Sequence, residues 1–225
     1  MDSGLLQQIA LFAIPVILAV TLHEAAHGFV ALHFGDRTAK GAGRVTLNPI
    51  RHIDAFGTIV LPLLLVFANA GFIFGYAKPV PVNFAGLRNP RWDMIWVAAA
   101  GPAMNILLAV ISAVALYMVL GSGTSEFLAN MLRISIQMNM LLAVFNMLPL
   151  PPLDGSKVLA AFLPGFLARP YLGLERWGMI ILLMLLIVVP ILGARNGYDL
   201  DIFGPLVIEP ASWGTRFLMS LIGQG

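Results

Sequence analysis

Five stretches of this chain are too long and too apolar to be buried elements of a water-soluble domain. A membrane span needs about 20 mostly apolar residues, and such runs lie near 5–32, 57–75, 93–120, 131–149 and 177–193. Only 11% of the 225 residues are charged and 59% are hydrophobic, against about 25% charged in an ordinary soluble domain. The pattern predicts an all-α polytopic membrane protein, because lipid offers backbone groups no partner and a helix satisfies its own. The first run exceeds what a bilayer requires, so its helix should tilt or project. Residues 158–168 are apolar but too short to cross, and Pro164 and Gly165 interrupt them. The tail, 202–225, carries Glu209, Pro210 and Arg216; it reads as an interfacial helix, with a sixth span as the alternative.

The connections on both sides are basic, so the positive-inside rule assigns no orientation. The N-terminal MDSGLLQQIA lacks the basic region of a secretory signal, and the first run is therefore expected to stay as a span. No segment is long enough for an appended soluble domain, so 1–225 reads as one membrane-embedded unit. A net charge of +2, with no basic cluster, argues against nucleic acid as a partner. The absence of cysteine removes disulfides, thiolate zinc sites and iron–sulfur clusters.

Into the first apolar run the chain places VTLHEAAHGFVALHFG, Val20 to Gly35. Ionisable groups cost about 2.5–3.5 kcal/mol each at the centre of a membrane helix, so their presence asks for a use. His23 and His27, four residues apart, share a helix face and can offer imidazoles to one ion. Glu24 is displaced by about 100°; it can reach a water on the metal without ligating the metal. That is the division of labour in His-Glu-x-x-His metallopeptidases, where the glutamate is the general base. Ala25, Ala26 and Gly28 keep the surface slim enough for another helix to approach.

A zinc site wants a third protein ligand. His33 lies about 240° further round the helix from His27, and His52 falls in a polar connection. Most carboxylates stand at membrane edges. Asp154, in NMLPLPPLDG (Asn146 to Gly155), follows three prolines at the close of the fourth run. Such broken backbone at membrane depth survives only inside protein or beside a watery cavity. Taken alone, Asp154 is either a ligand or a loop aspartate before a glycine turn.

Together, His23-Glu24-x-x-His27 and Asn146-x-x-Pro149-x-Pro151-x-Leu153-Asp154-Gly155 resemble the site-2 protease family, intramembrane zinc metalloproteases that cut transmembrane substrates. NPIRHIDAFGTIVLPLLL, GYAKPVPVN and GPAMN are similar to segments of its compact prokaryotic branch, which lacks appended regulatory domains. The resemblance covers roughly Val20 to Gly155. It implies one Zn2+ per chain held by His23, His27 and Asp154, with Glu24 as base and later proton donor. Asn146 would stabilise the oxyanion or orient the site. The location implied is a prokaryotic cell membrane, with transmembrane proteins or peptides as partners. Ala55 and Tyr76 stand where that branch usually has proline and tryptophan; neither is an expected ligand.

Asn105, in GPAMN, reads either as polar support for substrate or active site, or as an interhelical amide. KPVPVNF, Lys78 to Phe84, cannot be helical. It is expected either as a connector at the headgroups or, as the resemblance favours, as a re-entrant strand or hairpin. In the second case Val80, Val82 and Asn83 would meet an unwound substrate. His52 and Asp54 are expected in a solvated loop. The rival function is a metal transporter or intramembrane metal-binding protein, since transporters also place ligands at broken helices near mid-membrane. Glu24 separates the two, because a transport site has no need of a carboxylate that ligates nothing.

Overall fold

A computed structural model describes residues 3–61, 64, 67, 75–123, 125–198 and 200–224. The elements are helical: α1 (Ser3–His33), α2 (Thr38–Gly41), α3 (Pro90–Ser122), α4 (Glu126–Asn146), α5 (Asp154–Phe162), α6 (Gly165–Gly173), α7 (Glu175–Leu183), α8 (Val189–Arg195) and α9 (Glu209–Leu221). A π-helical turn, Met184–Val188, joins α7 to α8, and another, Gly204–Ile208, leads into α9. Four helical stretches among the described residues are long and apolar enough to cross a membrane: Gln7–His33, Pro90–Ser122, Glu126–Asn146 and Glu175–Arg195. They correspond to the first, third, fourth and fifth expected spans. The second, 57–75, falls largely outside the described residues; its beginning is a π-helical turn at Ala55–Val60. The tail forms a helix that packs against α4.

The centre of the molecule is the trio α1, α3 and α4, each packed on the other two. Between helices in lipid the hydrophobic effect is weak and close backbone approach decides the packing. The interfaces are accordingly built from small side chains, including Ala19, Ala31, Ala98, Ala109, Ala113 and Ala143, all buried. Large apolar side chains point outwards instead: Phe12, Trp96, Ile111, Tyr117, Trp177 and Ile180 are each more than half exposed. This inverted distribution suits a molecule whose solvent is hydrocarbon.

Local signals set the ends of the central helices. Pro90 opens α3, where its missing N–H is not needed. Gly123 closes the same helix in the left-handed region at φ 62°. Ser125 caps α4 by accepting the Leu128 N–H. After α4 the proline-rich turn reverses the chain, and α5, whose first residue is Asp154, packs back onto α3.

No strand forms among the described residues, so the expected strand or hairpin at 78–84 is instead an irregular segment. Pro79 and Pro81 remove two of the donors a ladder would need. Its N–H groups are tied elsewhere: Lys78 donates to the His52 carbonyl (2.9 Å), Val80 to Glu24 Oε2 in the middle of α1 (2.7 Å) and Asn83 to Asp36 Oδ2 just past that helix (2.8 Å). The expectation of a solvated His52 is also corrected. Its ring is buried and donates from Nε2 to the Thr46 carbonyl at 3.0 Å, while its own carbonyl accepts the Lys78 N–H. Asp54 caps the π-helical turn through the Phe56 and Gly57 N–H groups.

Candidate metal centre

His23 and His27 face the same way from adjacent turns of α1 and are buried where α3 crosses. Gly101 permits that crossing. A Cβ built there would stand 2.5 Å from Cε1 and Nε2 of His23 and closer still to Nε2 of His27. Asp154 arrives from α5, whose start is pressed so tightly on the end of α4 that a Cβ at Gly155 would overlap the Met147 carbonyl. Residues separated by more than a hundred positions are thereby united.

The three donor atoms form a small triangle. His23 Nε2 lies 3.1 Å from His27 Nε2, and Asp154 Oδ2 lies 3.2 and 3.3 Å from the two nitrogens. The other ring nitrogens identify the tautomers. His27 Nδ1 donates to the Val97 carbonyl at 2.7 Å, and His23 Nδ1 donates to Asn105 Oδ1 at 2.6 Å. With both rings neutral, the form in which an imidazole ligates, both Nε2 atoms are then lone pairs turned on one another and on a carboxylate oxygen. Such an arrangement is repulsive without a cation among them. Tetrahedral zinc, with bonds of about 2.0–2.1 Å, sets its ligands roughly 3.3–3.4 Å apart, so the donor set and its spacing fit that ion. Among the described residues His23, His27 and Asp154 are the group whose ligand atoms converge in this way.

A cavity of about 570 Å³ opens beside the triangle, walled by Glu24, Val80, Val82, Asn146, Lys157 and Met179 among others. Glu24 is half-buried and one residue from His23, with Oε2 held by the Val80 N–H. That N–H is the one donor in Pro79-Val80-Pro81, so the proline alternation leaves Glu24 a single backbone partner there. Lys157, one turn along α5 from Asp154, donates to the Pro152 carbonyl at 2.6 Å and pairs with Glu175 at 3.2 Å.

Other expected residues take different places. Asn146 lines the cavity, with Nδ2 donating back to the Leu142 carbonyl at 3.0 Å. Asn105 is wholly buried behind His23 and does not line the cavity. Asn83 is exposed, and its Oδ1 accepts the Ala85 N–H as a turn cap. His33 is exposed at the end of α1 and contributes nothing.

Three residues escaped the sequence reading. Asn139 is buried beside Asn105; its signal was a polar side chain in an apolar run, two turns before Asn146. Lys157, three residues from Asp154, shares its helix face. Asp36, just past α1, had no signal: it is buried and accepts from Thr38 Oγ1 at 2.5 Å, Thr38 N–H at 2.9 Å and Asn83 N–H. Burial alone would raise its carboxyl pKa, but the hydrogen bonds from Thr38 and Asn83 outweigh that and hold it below the usual value. Asp36 thus anchors one end of the segment that Glu24 holds at its middle.

The profile of peptidase family M50 matches residues 11–134. A protein of Bacillus subtilis (strain 168) named "Putative zinc metalloprotease YwhC" is 42% identical over 180 residues, spanning 77% of this chain and 78% of that protein. The "Putative zinc metalloprotease Rip2" of Mycolicibacterium smegmatis is 28% identical over 76% of this chain and 64% of its own length. Its namesake in Mycobacterium tuberculosis (strain H37Rv) is 30% identical over 75% of this chain and 63% of its length. The chain thus spans just under two thirds of these mycobacterial relatives. No solved structure matches it.

Proposed function

The chain belongs to peptidase family M50 and is a multi-pass membrane zinc metallopeptidase; from that premise we propose that it cuts transmembrane segments of other proteins, with Glu24 as general base. His23, His27 and Asp154 would hold the ion. The observation that carries the reading is the triangle of bare donor atoms with a carboxylate beside it that is no member of it.

When bound, zinc supplies the Lewis acidity that acidifies a water and polarises a carbonyl. Val80 N–H occupies one oxygen of Glu24, and the other is left to take a proton from water and return it to the departing amine. Two neutral imidazoles and one carboxylate would leave a bound dication a net positive charge, which suits a developing oxyanion. Asn146 retains a second Nδ2 hydrogen beyond the one given to Leu142, a donor that an oxyanion could take.

A helical substrate hides its amides in its own hydrogen bonds and must unwind to be cut. Among the described residues, the Val82 N–H and the Val80 and Pro81 carbonyls have no partner within the chain. Val80 and Val82 both line the cavity. This unpaired backbone would accept an unwound segment as an added strand, which supplies the partners both chains lack in lipid.

The test is zinc analysis of purified wild type, His23→Ala and Glu24→Gln, paired with cleavage of a model transmembrane peptide. Wild type should carry one zinc and cleave, His23→Ala should lose both, and Glu24→Gln should keep zinc and lose cleavage. Cleavage surviving in Glu24→Gln, or zinc flux across vesicles through that variant, would overturn the reading.

A further inference from the structure

Behind His23 lies a chain of side-chain hydrogen bonds that the proposed chemistry does not use directly. His23 Nδ1 meets Asn105 Oδ1 at 2.6 Å. Asn105 spends both Nδ2 hydrogens, on Asn139 Oδ1 at 2.9 Å and on the Ala19 carbonyl at 3.3 Å. Asn139 in turn donates to the Ser135 carbonyl at 2.9 Å and to its hydroxyl at 3.3 Å. Ser135 ends the chain against Ser112 at 2.8 Å. Asn105 is 0% and Asn139 1% exposed, so no substrate touches either.

The direction of this chain matters more than its existence. A primary amide can present an oxygen or a nitrogen to a neighbour, and rotation by half a turn exchanges them. Facing Nδ2 to His23 would oblige its Nδ1 to be the acceptor and put the ring proton on Nε2, the atom turned towards Asp154 and His27. A ring protonated at Nε2 cannot ligate there. Asn139 Oδ1, at the shorter distance, and the Ala19 carbonyl both oppose the flip, because a flipped Asn105 would turn its oxygen on acceptors that have no hydrogen to give. Asn139 itself is oriented by the Ser135 carbonyl, which can only accept. His27 needs no such device, since a main-chain carbonyl at Val97 fixes its tautomer.

We infer that Asn105 and Asn139 are positioning residues for the metal site: Asn139 orients the Asn105 amide, and Asn105 keeps the proton of His23 on Nδ1 so that Nε2 is free to bind. The inference rests on the zinc reading above. It differs from a role in helix adhesion, which the same hydrogen bonds between α1, α3 and α4 would also serve, in that it makes zinc affinity depend on Asn139, two hydrogen bonds behind the ligand His23.

The experiment measures the zinc dissociation constant by chelator competition on the purified full chain in detergent, with thermal unfolding of the zinc-free protein alongside. Asn105→Leu should weaken zinc about 10- to 100-fold, the usual cost of losing a partner behind a ligand. Asn139→Leu, which leaves Asn105 only its longer bond to the Ala19 carbonyl, should weaken it by a smaller but measurable factor. Asn139→Asp, protonated in this buried place so that one oxygen donates to the Ser135 carbonyl while the other receives the Asn105 hydrogen, should keep affinity within a few-fold of wild type. Ile136→Ala, a cavity at the same α3–α4 interface, should lower the unfolding temperature and leave affinity unchanged. Wild-type affinity in Asn139→Leu, or an equal loss in Ile136→Ala, would overturn the inference and leave only adhesion. Wild type failing to bind zinc would instead sink the reading on which it rests.

Discussion

Gly101→Ala isolates how much of the metal site depends on the closeness of two helices. The added methyl lands 2.5 Å from Cε1 and Nε2 of His23, and also overlaps Nε2 of His27. Ordinary van der Waals contact begins near 3.4 Å, so something must yield by roughly 1 Å. The imidazoles cannot retreat along α1, because Asn105 and the Val97 carbonyl hold them from behind. Nor can α3 back away without opening the interface lined by Ala98 and Ala19. Overpacking of this size costs about 1–3 kcal/mol. Charged against binding at 1.4 kcal/mol per decade, that weakens zinc roughly 5- to 150-fold. Chelator competition on detergent-purified protein reads the affinity, and thermal unfolding reads any share taken by the fold. Gly121→Ala, in the same helix with open space around its Cβ, is the control. Wild-type affinity and wild-type stability together in Gly101→Ala would refute the close crossing on which the site is built.

Three further outcomes follow from other parts of the molecule. Val80→Pro deletes the N–H that Glu24 accepts; a hydrogen bond to a charged group is worth about 1.5–3 kcal/mol, so peptide cleavage should fall roughly 10- to 100-fold while zinc content stays at wild type. Asn146→Ala should lower kcat by at most about 10²–10³ and leave zinc affinity untouched; an affinity loss would move Asn146 from the oxyanion to the ion. Asp36, whose carboxyl is held below its usual pKa, contributes stability that is full above about pH 3.9 and is lost as the pH falls through its lower folded-state value. Thermal unfolding of wild type should therefore drop steeply at acid pH and that of Asp36→Asn less so; parallel profiles would show that the carboxylate is not the anchor.

How far the fold was legible depended on whether a signal was local. Helix in the apolar runs followed from the backbone's need to satisfy itself in lipid. The ends set by Pro90, Gly123 and Ser125 fall outside the runs expected at 93–120 and 131–149, because caps are polar or conformational features that hydropathy does not register. The pairing of His23 with His27 needed only the helical repeat. The segment at 78–84 was misjudged in form because a strand needs a neighbour, and neighbours are not written in the segment itself; its prolines gave the lack of helix but not the side-chain partners that replaced a ladder. His52 looked solvated because it sits among charged residues, and was buried by the folding of Thr46 and Lys78 around it.

Read by itself, the chain determined that it lives in lipid, that α1 carries two imidazoles and a carboxylate at the correct spacing, and that Asp154 ends a broken stretch. All of these are properties of one helical turn or one run of residues. Only the tertiary structure decided that α3 passes over the imidazoles at Gly101, that α5 delivers Asp154 to them, and that Asn105 and Asn139 stand behind His23 with their amides in one orientation. Those facts depend on close approach between helices, and in lipid that approach is set by which small side chains meet, not by how apolar any one helix is.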